Sequence, residues 1–64
     1  MKRLKLIKHL KDSDCVLFRE GGNHTVFMNN KTRIKTAVPR HADISERVAF
    51  EICKQLGIPK PKIN

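Results

Sequence analysis

Apolar and polar positions change period twice along the chain. In the first eleven residues Leu6, Ile7 and Leu10, with Leu4 at their edge, fall on one side of a helix, and Lys2, Lys5, Lys8 and His9 on the other. Five bases precede the first acid, Asp12, so the first turn opposes the helix macrodipole and packing must hold the helix. Asp12, Ser13 and Asp14 are turn formers that end it. The period then drops to two. CVLFRE (Cys15 to Glu20) predicts a strand with Val16 and Phe18 on one face and Cys15, Leu17 and Arg19 on the other, Phe18 being assigned to the core. Gly21, Gly22 and Asn23, which accept positive φ readily, predict a hairpin turn into a second strand, HTVFMN. There Thr25 and Phe27 share one face, and His24, Val26 and Met28 the other.

Asn29, Asn30 and Lys31 predict the next turn, with asparagine at positive φ. RIKTAV (Arg33 to Val38) predicts a third strand alternating Ile34, Thr36 and Val38 against Arg33, Lys35 and Ala37, and Pro39 stops it. The helical period then returns. Asp43 is expected as N-cap with Glu46 in a capping box, followed by an apolar stripe of Ile44, Val48, Ala49, Ile52, Cys53 and Leu56. Phe50 falls outside the stripe and is expected against the sheet edge. Gly57 predicts a left-handed C-terminal position, Ile58 a Schellman contact near Cys53, and Pro59 the stop. Lys60 to Asn64 reads as a loose basic tail. The order helix, three antiparallel strands, helix predicts one α+β domain over residues 1–64, a two-layer αβββα sandwich with both helices on one face of the sheet. Its other face is left to solvent or a polyanion.

At 64 residues the chain is too short to enclose a deep cavity, because such a domain buries only about 60% of its unfolded surface. Any chemistry is expected on an open face, which suits a long polymer. The net charge of +8 places nucleic acid first among partners, ahead of a membrane surface. Cys15 and Cys53 each sit in an apolar run, without Cys-x-x-Cys or His-x-x-x-His spacing, so they predict two buried thiols in a reducing cytoplasm and no metal site. No apolar run is long enough to span a bilayer, so no membrane association is expected.

His24 is the candidate for chemistry. It opens a strand beside a solvent-open turn, a sensible mounting for a group that meets a large substrate, although on the residues alone a lone histidine beside a turn is more often a solvated side chain. Histidine, with a reference pKa of about 6.5, can take the ribose 2′-OH proton or protonate a leaving 5′-oxygen near neutral pH. Lys31, Arg33 and Lys35 are expected as phosphate clamps, with Arg40 and His41 as weaker ones and Gly22 and Asn23 as turn contacts to RNA. His9 is expected to be inert. With Phe18 in the core, no base-stacking platform is expected and sequence selectivity should be weak.

The Gly22-Asn23-His24 turn, the TVF strand, Val38 to His41 (VPRH) and Lys54 to Pro59 (KQLGIP) resemble the HicA family over roughly Leu6 to Pro59. The usual family turn is Gly-Ser-His, with Asn23 standing here for the serine. The resemblance implies a fold like a double-stranded RNA-binding domain, and a toxin of a type II toxin-antitoxin system that cuts mRNA. The six acids are scattered and form no carboxylate cluster, so the cleavage is expected to need no metal or other cofactor. It also implies that activity depends on the histidine at position 24 and that a HicB-like antitoxin covers the toxin. Read from the residues alone, a non-catalytic RNA-binding module and a ribosome-associated structural protein remain open.

Overall fold

The strands form one antiparallel sheet in the order β1-β2-β3, with β1 at Cys15–Glu20, β2 at His24–Asn29 and β3 at Lys35–Pro39. Helix α1 (Arg3–Asp12) precedes them and α2 (Glu46–Leu56) follows. This is a computed structural model describing residues 1–61; residues 62–64, the end of the expected basic tail, lie outside the described residues. Thr25, Phe27 and Asn29 of β2 and Thr36 and Val38 of β3 are buried on one face of the sheet. Leu6 and Leu10 of α1 and Ala49, Ile52, Cys53 and Leu56 of α2 close the core against them. Since α1 lies over β1 and α2 over β3, both helices cover the same face, and the 16 Å thin dimension leaves room for two layers only. The expected α+β order and layering are therefore observed.

Packing outweighs dipole in α1. Its first turn has no acid, and the N-cap Lys2 makes no side-chain capping bond. Unfavourable first-turn charges cost about 0.3–1 kcal/mol each, whereas full burial of a leucine contributes about 1.5–3 kcal/mol. Leu6 and Leu10 are both fully buried. The backbone also helps, because the Arg3 N–H donates to the Ala42 carbonyl (2.9 Å) and the Ile44 N–H to the Met1 carbonyl (2.8 Å). The start of α1 is thus clasped to the segment that leads into α2.

Several expectations are corrected. The N-cap of α2 is Ser45, not Asp43: its hydroxyl accepts from the Val48 N–H at 3.2 Å, and the helix begins at Glu46. Glu46 is then the first helical residue, two positions too early to close a capping box. Asp43 instead bridges to Lys2 in the clasp. Ile44 lies outside the helix yet is buried, and Val48 is 39% exposed. Phe50 is half-buried beneath the Lys60 ammonium (5.1 Å) at the C-terminal segment. Gly57 does carry φ 71°, and the Gly57 N–H to Lys54 and Ile58 N–H to Cys53 bonds complete the expected Schellman motif.

The turns differ more. No residue from Gly21 to Asn23 has positive φ; Asp14 (64°) and Arg33 (68°) do. The second turn is built by a side chain. Asn29 is the last residue of β2, and its Oδ1 accepts from the Lys31 and Thr32 N–H groups while its Nδ2 donates to the Leu56 carbonyl at 2.7 Å. That turn delays β3 to Lys35, so Arg33 lies outside the strand and Ile34 is half-exposed.

The largest correction is in β1. Leu17 pairs with Phe27 but Arg19 with Val26, so Phe18 and Arg19 together oppose one residue in a β-bulge. Phe18 is not core. It is 50% exposed, on the uncovered face, with the Lys35 ammonium 4.5 Å from its ring centre.

Candidate functional site

His24 opens β2 on the uncovered face, exposed, with its backbone fixed from both sides. Its carbonyl accepts from the Gly21 N–H at 3.1 Å across the hairpin, and Pro39 is its partner on β3. A group held this way has a set position and free access to solvent, which is what a proton-transfer group acting on a polymer needs.

Beneath the turn, on the covered side, lies a polar cluster. Arg40 donates to Glu20 Oε1 (2.8 Å) and to the Gly21 carbonyl (2.7 Å). The Thr25 hydroxyl donates to the same Glu20 oxygen (3.1 Å). Arg3 donates through Nε to the Pro39 carbonyl (2.8 Å) and through a terminal nitrogen to Thr25 Oγ1 (3.0 Å). The turn before His24, the end of β3 opposite it and the start of α1 are therefore cross-linked by two guanidinium groups. An exposed Arg–Glu pair contributes about 0–1 kcal/mol to stability. The stronger consequence of the cluster is to fix where the hairpin end sits.

The structure divides the expected RNA contacts into two groups. Gly22 and Asn23 are exposed in the turn, and Arg40 and His41 follow Pro39 at the same end of the sheet as His24. Lys31 and Arg33 belong to the β2–β3 turn at the far end of β2, about 17 Å away at ~3.3 Å per residue. Lys35 shares the uncovered face but pairs with Met28, about 13 Å along the strand from His24 by the same rise. His9 bonds through Nε2 to the Pro59 carbonyl (2.7 Å) and fastens the C-terminal segment to α1.

Arg19 is the residue that sequence reading placed wrongly. The bulge puts it opposite Val26, on the face of His24, instead of in the row of Cys15 and Leu17. A signal existed: unbroken alternation would have driven an arginine toward the helices in a row with a buried cysteine. Such a conflict is what a bulge resolves.

The two thiols are buried and free. Burial, with the nearby Cys15 second, pushes the Cys53 thiol up to about 11; burial, then Asp14, raises Cys15. Both stay protonated and unreactive near neutral pH. Among the described residues no three His, Cys, Asp or Glu side chains converge as a metal site would need. A hollow of about 710 Å³ lies between α2 and Ile58 to Lys60, and His24 is not among its lining residues. No described helix is long and apolar enough to cross a membrane.

A family model described as HicA toxin of bacterial toxin-antitoxin matches residues 4–58. No curated protein and no solved structure matches.

Proposed function

Because the chain belongs to the HicA toxin family of bacterial toxin-antitoxin systems, we propose that it is an endoribonuclease that cuts mRNA at His24. The observation that carries the reading is the mounting of His24: an exposed imidazole on a strand end paired on both sides, on the face that neither helix covers. RNA supplies its own nucleophile. His24 takes the 2′-OH proton as the 2′-oxygen attacks phosphorus, the P–O5′ bond breaks, and the 5′-oxygen leaves with a proton from water. The products are a 2′,3′-cyclic phosphate and a 5′-hydroxyl. Such proton transfer is worth about 10² to 10⁴ in rate, and stabilisation of charge on phosphorus supplies more.

An open face has no lid, so silencing comes from a partner laid over it, and a HicB-like antitoxin is the partner that the family relation supports. Covering both His24 and the bases of the β2–β3 turn needs a partner that reaches the length of β2.

The test is cleavage of end-labelled RNA by the purified protein and by His24→Ala, with circular dichroism to show that both are folded. The variant should lose cleavage and growth inhibition while keeping its fold. Activity of the wild type should survive EDTA. Full cleavage by folded His24→Ala would exclude this mechanism, and RNA binding without cutting by the wild type would make the chain a non-catalytic RNA-binding module.

A further inference from the structure

We propose that Arg19 holds the scissile phosphate beside His24. The inference rests on the reading of His24 as the proton-transfer group, and it adds the cation that this reaction needs. Three observations place Arg19 there. First, the bulge at Phe18 turns Arg19 onto the uncovered face, opposite Val26, two residues along β2 from His24. Diagonal neighbours of this kind are about 7–8 Å apart at the backbone, within reach of a long side chain. Second, the position across from His24 is Gly21, which has no side chain. A methyl group built on Gly21 would stand 3.9 Å from Arg19 Nε, so the arginine already leans over the gap that glycine leaves beside the histidine.

Third, Arg19 is uncommitted. Arg3 and Arg40, the other guanidinium groups at this end, donate to Pro39, Thr25, Glu20 and Gly21 from the covered side. Arg19 has no hydrogen bond or ion pair among the described residues. The carboxylate next to it in sequence, Glu20, pairs with Thr25 on the covered face and is held there by Arg40 and Thr25. The uncovered-face positions of the three strands include no acid. A free guanidinium with open donors beside a histidine suits two non-bridging phosphate oxygens at once. Arg19 moves no proton. It binds those oxygens in the ground state and binds them more tightly as charge grows on them during 2′-oxygen attack.

The test uses Arg19→Ala and Arg19→Lys in the full chain, with two separate readouts. In single-turnover cleavage of RNA, Arg19→Ala should lose roughly 10²-fold or more, and Arg19→Lys should fall between it and the wild type, since charge remains but the fork is lost. Affinity for a short 2′-O-methyl oligoribonucleotide, which cannot be cut, should fall in Arg19→Ala. The slope of log affinity against log salt should become shallower by about 0.7, the value for one phosphate contact on a single strand. Arg19 is exposed, so the melting temperature should not change. Wild-type cleavage by Arg19→Ala while His24→Ala is inactive would overturn the role of Arg19 and leave His24 standing. If His24→Ala instead cuts normally, the catalytic reading fails, and the oligonucleotide arm still decides the contact: unchanged affinity and salt slope in Arg19→Ala overturn it.

Discussion

Asn29 does three jobs with one amide. It ends β2, folds the turn that follows, and donates to the last turn of α2 through the Leu56 carbonyl, all while 5% exposed. Asn29→Leu should leave a helix-end carbonyl and two turn N–H groups without their partner, at about 1–3 kcal/mol for the first unsatisfied buried group alone. Urea unfolding should show the loss as a lower midpoint. Cys53 sets an alkaline limit of a different origin. Its thiol is raised from 9.0 to about 11 in the folded chain, chiefly by burial, so the unfolded chain gives up its proton first as pH rises. Stability from this group is whole below pH 9 and is lost as pH rises through the window from 9 to 11. Denaturation at stepped pH should show that decline, and Cys53→Ala should flatten it while lowering stability throughout. Arg40 offers a third test. If it acts by bracing the turn through Glu20 and Gly21, Glu20→Gln should speed amide exchange from Gly22 to His24 without any gain in RNA affinity. If it is a phosphate clamp, releasing it from Glu20 should tighten RNA binding.

At the level of elements, the helix ends yield a direct comparison. Ser45→Ala removes the observed cap of α2 and should cost about 1 kcal/mol, whereas Asp43→Ala breaks only an exposed 4.0 Å pair to Lys2 and should cost less than about half of that. Thermal melts of the two variants decide it. Both residues are common N-cap types two positions apart, and the sequence alone could not choose between them, because the clasp that draws Asp43 to Lys2 is a contact across the chain. Strand and helix identities were legible for a simpler reason: Leu6 with Leu10, Thr25 with Phe27, and Ile52 with Leu56 repeat at periods set by the backbone. The C-terminal end of α2 was legible too, since Gly57 and Pro59 act locally. What escaped was wherever a side chain replaced a backbone turn, as at Asn29, or where one inserted residue reversed the alternation, as at Phe18. Of the candidate site, His24 was placed on its correct strand and face, and Arg40 and His41 follow Pro39 at its end of the sheet, but the other cations were placed less well. Lys31 and Arg33 are close to β2 in sequence and lie at its other end, while Arg19 was sent to the wrong face.

For the whole molecule, one face carries the two helices and the other is bare, with His24 at one end and the β2–β3 bases at the other. With a net charge of +8, RNA affinity should fall steeply as salt rises, and association with an acidic covering partner should slow through lost steering. A protection map of the complex tests the covering arrangement: His24 and Lys31 should both be shielded, and a partner that leaves both open to RNA would require an allosteric account. The bulge has one more consequence, for how copies of the chain behave toward each other. β1 and β3 are both sheet edges, with backbone donors and acceptors facing outward. β3 ends in Pro39, which cannot donate, but β1 begins CVLF, an apolar run that a second molecule's strand could extend. The extra residue at Phe18 breaks that template after Leu17 and interrupts the ladder before a docking strand gains length. Deleting Phe18 should give a continuous edge, and sedimentation should then show a chain that associates with itself, at concentrations where the parent stays dispersed, through the strand that now keeps it apart.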